Sequence, residues 1–166
     1  SKMETYPEHL PDGMKLTDHM VGFNDQVHAA LRAAGVRTID LKSAFKTSPL
    51  RNSETPLYFR LDTHWTPTGA LVAAQAIDAG IKADPVLAKA LAAARPEKFT
   101  LKWAAKKERE TAINDITRLL PAGSKPYAPE DVLRFQVGKA DRANASSLLA
   151  PASGGDVALV GSSFSG

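Results

Sequence analysis

A stretch of apolar residues that recur every three or four positions constrains the fold of this chain more than any other feature of its sequence. The spacing predicts a helix that Thr17 or Asp18 caps and that ends at Gly35, since a left-handed backbone there favours glycine. Its apolar face comprises Met20, Phe23, Val27, Leu31 and Ala34. The segment Val36 to Leu41 (VRTIDL) follows at once and predicts a short strand. Helix, glycine and strand in this order indicate an α/β unit.

Proline and hydroxyl residues mark the next helices. Asp40 is expected to cap a short helix after the predicted strand. Thr66 before Pro67 predicts a second helix start, because proline suits the first helical position and threonine supplies the cap. The helix Pro67 to Ala79 is apolar on most sides, which predicts that it is buried. A further helix is expected over Pro85 to Ala94.

The second half of the sequence predicts most of the strands. Alternation favours strands at Phe99 to Trp103 and Val132 to Val137, and the apolar run in Asp156 to Val160 is typical of a buried parallel strand. Between them, the charged cluster Lys106 to Glu110 predicts a solvated helix face, and Ile113 to Leu120 predicts a short helix. The expected fold class is α/β with a mostly parallel central sheet.

Composition excludes several classes of protein. The chain has 166 residues, 43% of them hydrophobic and 23% charged, which fits one globular domain over residues 1–166. No run approaches the ~18 apolar residues of a membrane span, and the polar start does not resemble a signal peptide. The net charge of +3 comes from interspersed signs, which argues against a nucleic-acid partner. Since the chain has no cysteine, disulfides and thiolate chemistry are excluded.

Two places carry residues that could perform chemistry. Asp62 and His64 lie two residues apart just before a helix, and residues at this spacing in an extended segment project to the same side. The carboxylate can then orient the imidazole, whose other nitrogen serves as a base. Ser162 and Ser163 follow Gly161 directly after a predicted buried strand, a position that exposes a hydroxyl. Either pattern alone also fits a chance pair or a serine-rich tail, but together they supply a base, an orienter and a nucleophile.

The segment YFRLDTHWTPTG, residues 58–69, resembles the D-x-H-W signature of the alginate O-acetyltransferase family of the AlgJ and AlgX type. In that family a strand followed by G-[ST]-S-[YF]-S carries the serine about 100 residues later, and residues 161–165 (GSSFS) match that motif. Weaker similarity in the lead-in YPEHLP, residues 6–11, and in LRAAGV with the following Asp40 extends the resemblance over most of the chain.

The resemblance implies a fold and roles for three catalytic residues. The fold would be an SGNH-hydrolase-like three-layer domain, with Ser163 as nucleophile, His64 as base and Asp62 as its orienter. Ser163 is preferred to Ser162 because it holds the third place of the G-x-S pattern. No cofactor or metal is implied. The expected location is the periplasm, the substrate an exopolysaccharide such as alginate, and the acetyl donor a membrane-bound O-acyltransferase.

Family members start earlier and continue further than this sequence. The 166 residues are therefore expected to be a fragment truncated at both ends. The resemblance also allows for a parent protein that is anchored to the inner membrane. Three functions stay open at this point. The triad would serve a polysaccharide O-acetyltransferase or an acetyl-esterase equally well. A non-catalytic scaffold of an export complex could instead bind polymer through aromatic residues such as Tyr58, Trp65 and Trp103.

Overall fold

A computed structural model describes residues 1–94, 98–110, 115–124 and 127–139. Within these ranges the chain forms five α-helices followed by four short strands. The helices are α1 (Lys2–Thr5), α2 (Asp18–Ala33), α3 (Leu41–Thr47), α4 (Pro67–Ala83) and α5 (Pro85–Ala94). The strands are β1 (Phe99–Trp103), β2 (Glu108–Glu110), β3 (Glu130–Val132) and β4 (Phe135–Lys139). Single 3₁₀ turns occur at Pro7–His9 and Thr117–Leu119.

The helix caps lie where the sequence predicts them. The Thr17 side chain accepts a hydrogen bond from the Met20 N–H at 3.3 Å, and Gly35 has a φ of +79° just after α2. The Asp40 carboxylate accepts from the Ser43 N–H at 3.0 Å and so caps α3. The apolar face of α2 forms as predicted but is exposed, with Phe23 at 51%.

The core lies where α3 and α4 meet the N-terminal segment. Its buried members are Tyr6, Phe45, Leu57, Val72 and Ala73. The Tyr6 hydroxyl also donates to the Arg51 carbonyl at 2.7 Å and accepts from the Leu57 N–H at 2.9 Å, which satisfies polar groups that burial removes from water. The expectation that α4 is buried on most sides is wrong, because only positions 68, 69, 72 and 73 near its start are buried.

The four strands form one interrupted antiparallel ribbon. β1 pairs with β4, with Trp103 opposite Phe135, and β2 pairs with β3, with Glu108 opposite Val132. Four residues separate the two pairs on one arm and only two on the other, so a bulge interrupts the ladder. The described residues between β2 and β3, 115–124 and 127–129, form the tip of the ribbon and contain the second 3₁₀ turn.

Several predictions for the strands are corrected here. Val36 to Leu41 forms no strand among the described residues, since Asp40 starts α3 at Leu41. The segment Val132 to Val137 is divided between β3 and β4. The strands in the described ranges pair antiparallel, because both arms belong to one ribbon and no crossover joins them as a parallel pair requires. The predicted strand at residues 156–160 lies outside the described residues, and the mostly parallel sheet stays a prediction.

Two predicted helices also differ from the structure. The cluster Lys106 to Glu110 ends in β2, where Glu110 is 8% exposed and pairs with Arg134, so it is not a solvated helix face. A buried, paired carboxylate favours the extended ribbon at this position. Within Ile113 to Leu120, the described residues form only the 3₁₀ turn Thr117–Leu119, and residues 113 and 114 lie outside the described part of the chain.

Candidate active site

The candidate site lies on a tight turn that leads directly into α4. An isolated bridge pairs Tyr58 with Trp65, and the Phe59 N–H donates to the His64 carbonyl at 3.1 Å. The chain therefore reverses between residues 59 and 64, and Asp62 and His64 lie within the turn. On the far side the Thr66 hydroxyl donates to the Pro56 carbonyl at 2.6 Å and accepts from the Gly69 N–H at 3.2 Å. One threonine thus closes the turn and starts the helix.

Asp62 and His64 form the pair that their spacing predicts. The His64 Nδ1 lies 2.5 Å from the Asp62 Oδ1, and the His64 backbone N–H donates to the same oxygen at 2.9 Å. The Asp62 side chain is 3% exposed and the imidazole 28%. Since Nδ1 is engaged by the carboxylate, acid–base chemistry falls to Nε2.

Asp62 is held in its ionised form by donors from two chain segments. Burial alone would raise its pKa, since a carboxylate loses hydration there. Hydrogen bonds from the backbone N–H groups of Asp115 and His64 and from the His64 ring outweigh burial, so the pKa lies below the ordinary value of 3.8. An anion of this kind fixes the orientation of the imidazole.

Glu130 and Lys2, which the sequence does not predict as site residues, also hold the turn through hydrogen bonds to its backbone. Glu130 Oε1 accepts from the Leu61 N–H at 2.8 Å, and the Lys2 ammonium donates to the carbonyls of Arg60 at 2.8 Å and Asp62 at 3.1 Å. Burial of Lys2 lowers the pKa of its ammonium, although carboxylates nearby oppose that shift. No sequence signal marks these residues, because they lie about 60 or more positions from the turn.

Asp115 completes the surroundings of the turn. Its carboxylate accepts from the Thr63 N–H at 2.7 Å and from the Thr63 hydroxyl. Its own N–H donates to the Asp62 Oδ2 at 2.7 Å. Ligand atoms of Asp62, His64 and Asp115 lie within 4.8 Å of one another, a composition that could hold a metal ion. However, all four carboxylate oxygens already accept hydrogen bonds from protein groups, which favours a hydrogen-bonded orienting network.

A family model described as an SGNH hydrolase-like domain of the acetyltransferase AlgX matches residues 1–166. This chain belongs to that AlgX family. A solved structure, the O-acetyltransferase domain of Pseudomonas putida AlgJ, is similar in fold, with a TM-score of 0.60 and 27% identity. That match covers 84% of this chain and 47% of the solved chain. The chain therefore has an SGNH hydrolase-like domain, as the sequence predicts.

Curated relatives place the AlgX-family chain in the same group. A protein of Pseudomonas syringae pv. tomato named "Probable alginate O-acetylase AlgJ" is 32% identical over 121 residues, which is 73% of this chain and 28% of the relative. A Pseudomonas fluorescens protein of the same name is 26% identical over 165 residues, 99% of this chain and 40% of the relative. The chain thus spans less than half the length of these relatives.

The third predicted catalytic residue, Ser163, lies outside the described residues, and so does Ser162. The described part of this AlgX-family chain therefore contains two of the three predicted catalytic residues, Asp62 and His64. Tyr58 and Trp65, considered above as sugar-stacking residues, pack against Phe45 with ring centroids 5.4 and 5.8 Å away. Trp103 packs edge-on against Phe135 at 5.0 Å. In the described ranges, no helix is long and apolar enough to cross a bilayer.

Proposed function

We propose that this protein is a polysaccharide O-acetyltransferase that uses Ser163, His64 and Asp62 for acyl transfer. The observation that carries the proposal is the buried Asp62 carboxylate, 2.5 Å from the Nδ1 of a partly exposed histidine, in a chain of an acetyltransferase family. An ionised, desolvated orienter and a ring with one nitrogen engaged are what a serine nucleophile requires of its base.

The proposed reaction has two steps, the formation of an acetyl-serine and the transfer of its acetyl group to a sugar. His64 Nε2 accepts the proton of the Ser163 hydroxyl while Oγ attacks the acetyl carbonyl of the donor. The C–O bond to the donor then breaks, and the imidazolium returns its proton to the leaving oxygen. In the second step a sugar hydroxyl attacks the acetyl-serine, His64 takes the hydroxyl proton, and Ser163 recovers a proton as its ester bond breaks. Asp62 stays ionised throughout and holds the ring.

Alginate is the polymer named for the relatives, and a polysaccharide of that kind is the proposed acceptor. We place the protein in the periplasm, with a membrane-bound O-acyltransferase as acetyl donor and with the parent protein anchored to the inner membrane. Nucleic acid has no part in this function. Water attacking the acetyl-serine instead of a sugar would make the same residues an acetyl-esterase, so the acceptor decides between the two activities.

Acetyl release from 4-nitrophenyl acetate tests the triad. We expect Ser163→Ala and His64→Gln to lower kcat by about 10³-fold or more, as loss of a nucleophile or base does in serine enzymes. Ser162→Ala is the matched control and should keep kcat close to wild type. An Ser163→Ala variant with wild-type turnover would contradict the proposal.

A second measurement separates transfer from hydrolysis. Oligosaccharides of alginate are added to the same assay, and mass spectrometry follows acetyl groups on the sugar. We expect acetylated oligosaccharide with the wild type and none with Ser163→Ala. Release of free acetate alone, at a rate that the sugar does not change, would identify an esterase.

A further inference from the structure

We infer that Asp115, which belongs to the tip of the ribbon, is a positioning residue for His64 and holds the base through Thr63 and Asp62. The kinetic part of this inference rests on the proposed acyl transfer. The spatial part rests on hydrogen bonds among the described residues alone. Asp115 is 53 positions from Asp62 along the chain, and it reaches the turn because the ribbon folds back over it.

The Asp115 carboxylate hydrogen-bonds to Thr63, the residue between Asp62 and His64. Its Oδ1 accepts from the Thr63 N–H at 2.7 Å, and its Oδ2 accepts from the Thr63 hydroxyl. A carboxylate that accepts two hydrogen bonds from one residue restricts both the backbone and the side chain of that residue. Since Thr63 lies between Asp62 and His64, any rotation of its peptide groups would move the imidazole relative to the carboxylate.

Backbone N–H groups of the ribbon tip also hydrogen-bond to Asp62 and to Leu61 before it. The Asp115 N–H donates to the Asp62 Oδ2 at 2.7 Å, and the next N–H, of Ile116, donates to the Leu61 carbonyl at 3.2 Å. Asp62 therefore has one oxygen engaged by the ribbon tip and the other by His64. This arrangement leaves the Asp62 carboxylate little freedom to turn away from the ring.

Asp115 also adds a negative charge beside the base. Its Oδ2 lies 4.0 Å from the His64 Nδ1, and its side chain is 38% exposed. Ionisable groups from other segments also contact this turn, namely Lys2 from α1 and Glu130 from β3, while Arg60 and Asp62 lie within it. The Asp115 carboxylate therefore lies beside the imidazole as part of a charged hydrogen-bond network.

Kinetics with 4-nitrophenyl acetate separate positioning from simple stability. We expect Asp115→Ala to lower kcat about 10- to 100-fold with little change in KM, because a misplaced base slows the chemical step and leaves ester binding intact. Asp115→Asn keeps an acceptor for the Thr63 N–H but not the charge. It should therefore lose less kcat than Asp115→Ala. Asp131→Asn removes an exposed carboxylate from the same ribbon, one that pairs with Arg109, and should change neither quantity.

A readout without catalysis keeps the inference testable if the proposed acyl transfer is wrong. The ring resonances of His64 are followed by NMR at one fixed pH in wild type, Asp115→Ala and Asp131→Asn. We expect these resonances to shift in Asp115→Ala only, because the ring loses its fixed place beside Asp62. Unchanged His64 resonances in Asp115→Ala, or an Asp115→Ala variant that folds and keeps wild-type kcat in an active enzyme, would overturn the inference. A wild type without Ser163-dependent activity would overturn the proposed function and leave the NMR result to decide about Asp115.

Discussion

At the scale of single residues, the Asp62 carboxylate is fixed because its oxygens accept hydrogen bonds from backbone N–H groups and contact the His64 ring. Backbone N–H groups of His64 and Asp115 and the His64 ring surround a carboxylate that is 2% exposed as a residue. Burial without these donors would neutralise it. The orienting charge at the site is therefore a product of the turn and the ribbon tip together.

Replacing Asp62 by asparagine should abolish most of the activity without changing the size of the side chain. The amide presents an NH₂ group in place of one acceptor oxygen, so its donors oppose either the Asp115 N–H or the His64 N–H groups. We expect kcat to fall by about 10⁴-fold, as loss of the orienting charge does in serine proteases. Ester hydrolysis measures it, with Asp131→Asn as the matched control. Wild-type turnover in Asp62→Asn would show that His64 needs no orienter.

The pairing of Asp62 with His64 could be predicted from the sequence, while the clamp around it could not. Two residues that are two positions apart in an extended segment meet through local geometry alone. Asp115 and Glu130 reach the turn only because the ribbon folds back onto it, and no local pattern encodes that return. The ribbon was missed for the same reason, since pairing partners of β1 and β4 lie more than 30 positions apart.

At the scale of secondary-structure elements, the junction between the turn and α4 depends on a close approach of two backbones. A Cβ added at Gly69 would lie 2.1 Å from the Leu57 carbonyl oxygen and 2.8 Å from the Trp65 Cβ. Leu57 is 0% exposed, so its backbone has no open space into which to move. Because glycine has no side chain, α4 can start in contact with the backbone of Leu57, which comes just before the turn that contains Asp62.

The same substitution at two glycines should have opposite effects on stability. Gly69→Ala forces a backbone contact apart and should lower the free energy of unfolding by about 2 kcal/mol or more. Gly22→Ala lies within α2, where the new Cβ would meet only the Gln26 side chain at 3.7 Å. It should raise that free energy by about 0.5–1 kcal/mol, since alanine is the better helix former. Urea denaturation measures both. An equal loss of stability in Gly69→Ala and Gly22→Ala would contradict this prediction.

The starts of the helices illustrate why these elements are predictable from sequence. Thr17, Asp40 and Thr66 each accept a hydrogen bond from an N–H three positions later, so the signal is complete within four residues. The predicted strand from Val36 failed at that same local scale, because Asp40 favours the start of a helix over continued extension.

At the scale of the whole molecule, three distant segments meet at the candidate site. Lys2 comes from α1, Asp62 and His64 from the turn before α4, and Asp115 with Glu130 from the ribbon. The contacts between these segments are mostly hydrogen bonds in which one partner is charged, and such bonds are stronger than those between neutral groups. Stability of this assembly should therefore depend on the charge of its carboxylates.

The pKa values of three carboxylates, those of Asp62, Glu4 and Asp40, are lowered, which predicts that acid destabilises the fold. Burial alone would raise the pKa of Asp62 and of Glu4. At Asp62 the N–H groups of Asp115 and His64 outweigh that effect, and at Glu4 hydrogen bonds from the N-terminal ammonium and Ser1 do so. The Ser43 side chain lowers the pKa of Asp40. Each of these groups binds protons less tightly when folded than when unfolded. Their contribution to stability is therefore present above the ordinary values of 3.8 and 4.5 and is lost as the pH falls through the lowered ones.

The free energy of unfolding should accordingly stay level from pH 7 to about 5 and then fall, with a slope of at most about 1.4 kcal/mol per pH unit for each group. Urea denaturation at successive pH values measures the slope. Asp62→Asn should be less stable at neutral pH and should show a shallower acid limb, since the buried carboxylate no longer takes up a proton on unfolding. Asp78→Asn removes an exposed carboxylate paired with Lys82 and should change the limb less, because solvent screens that pair. A stability that rises below pH 5, or an acid limb as steep in Asp62→Asn as in wild type, would show that the ionised turn is not what acid disrupts.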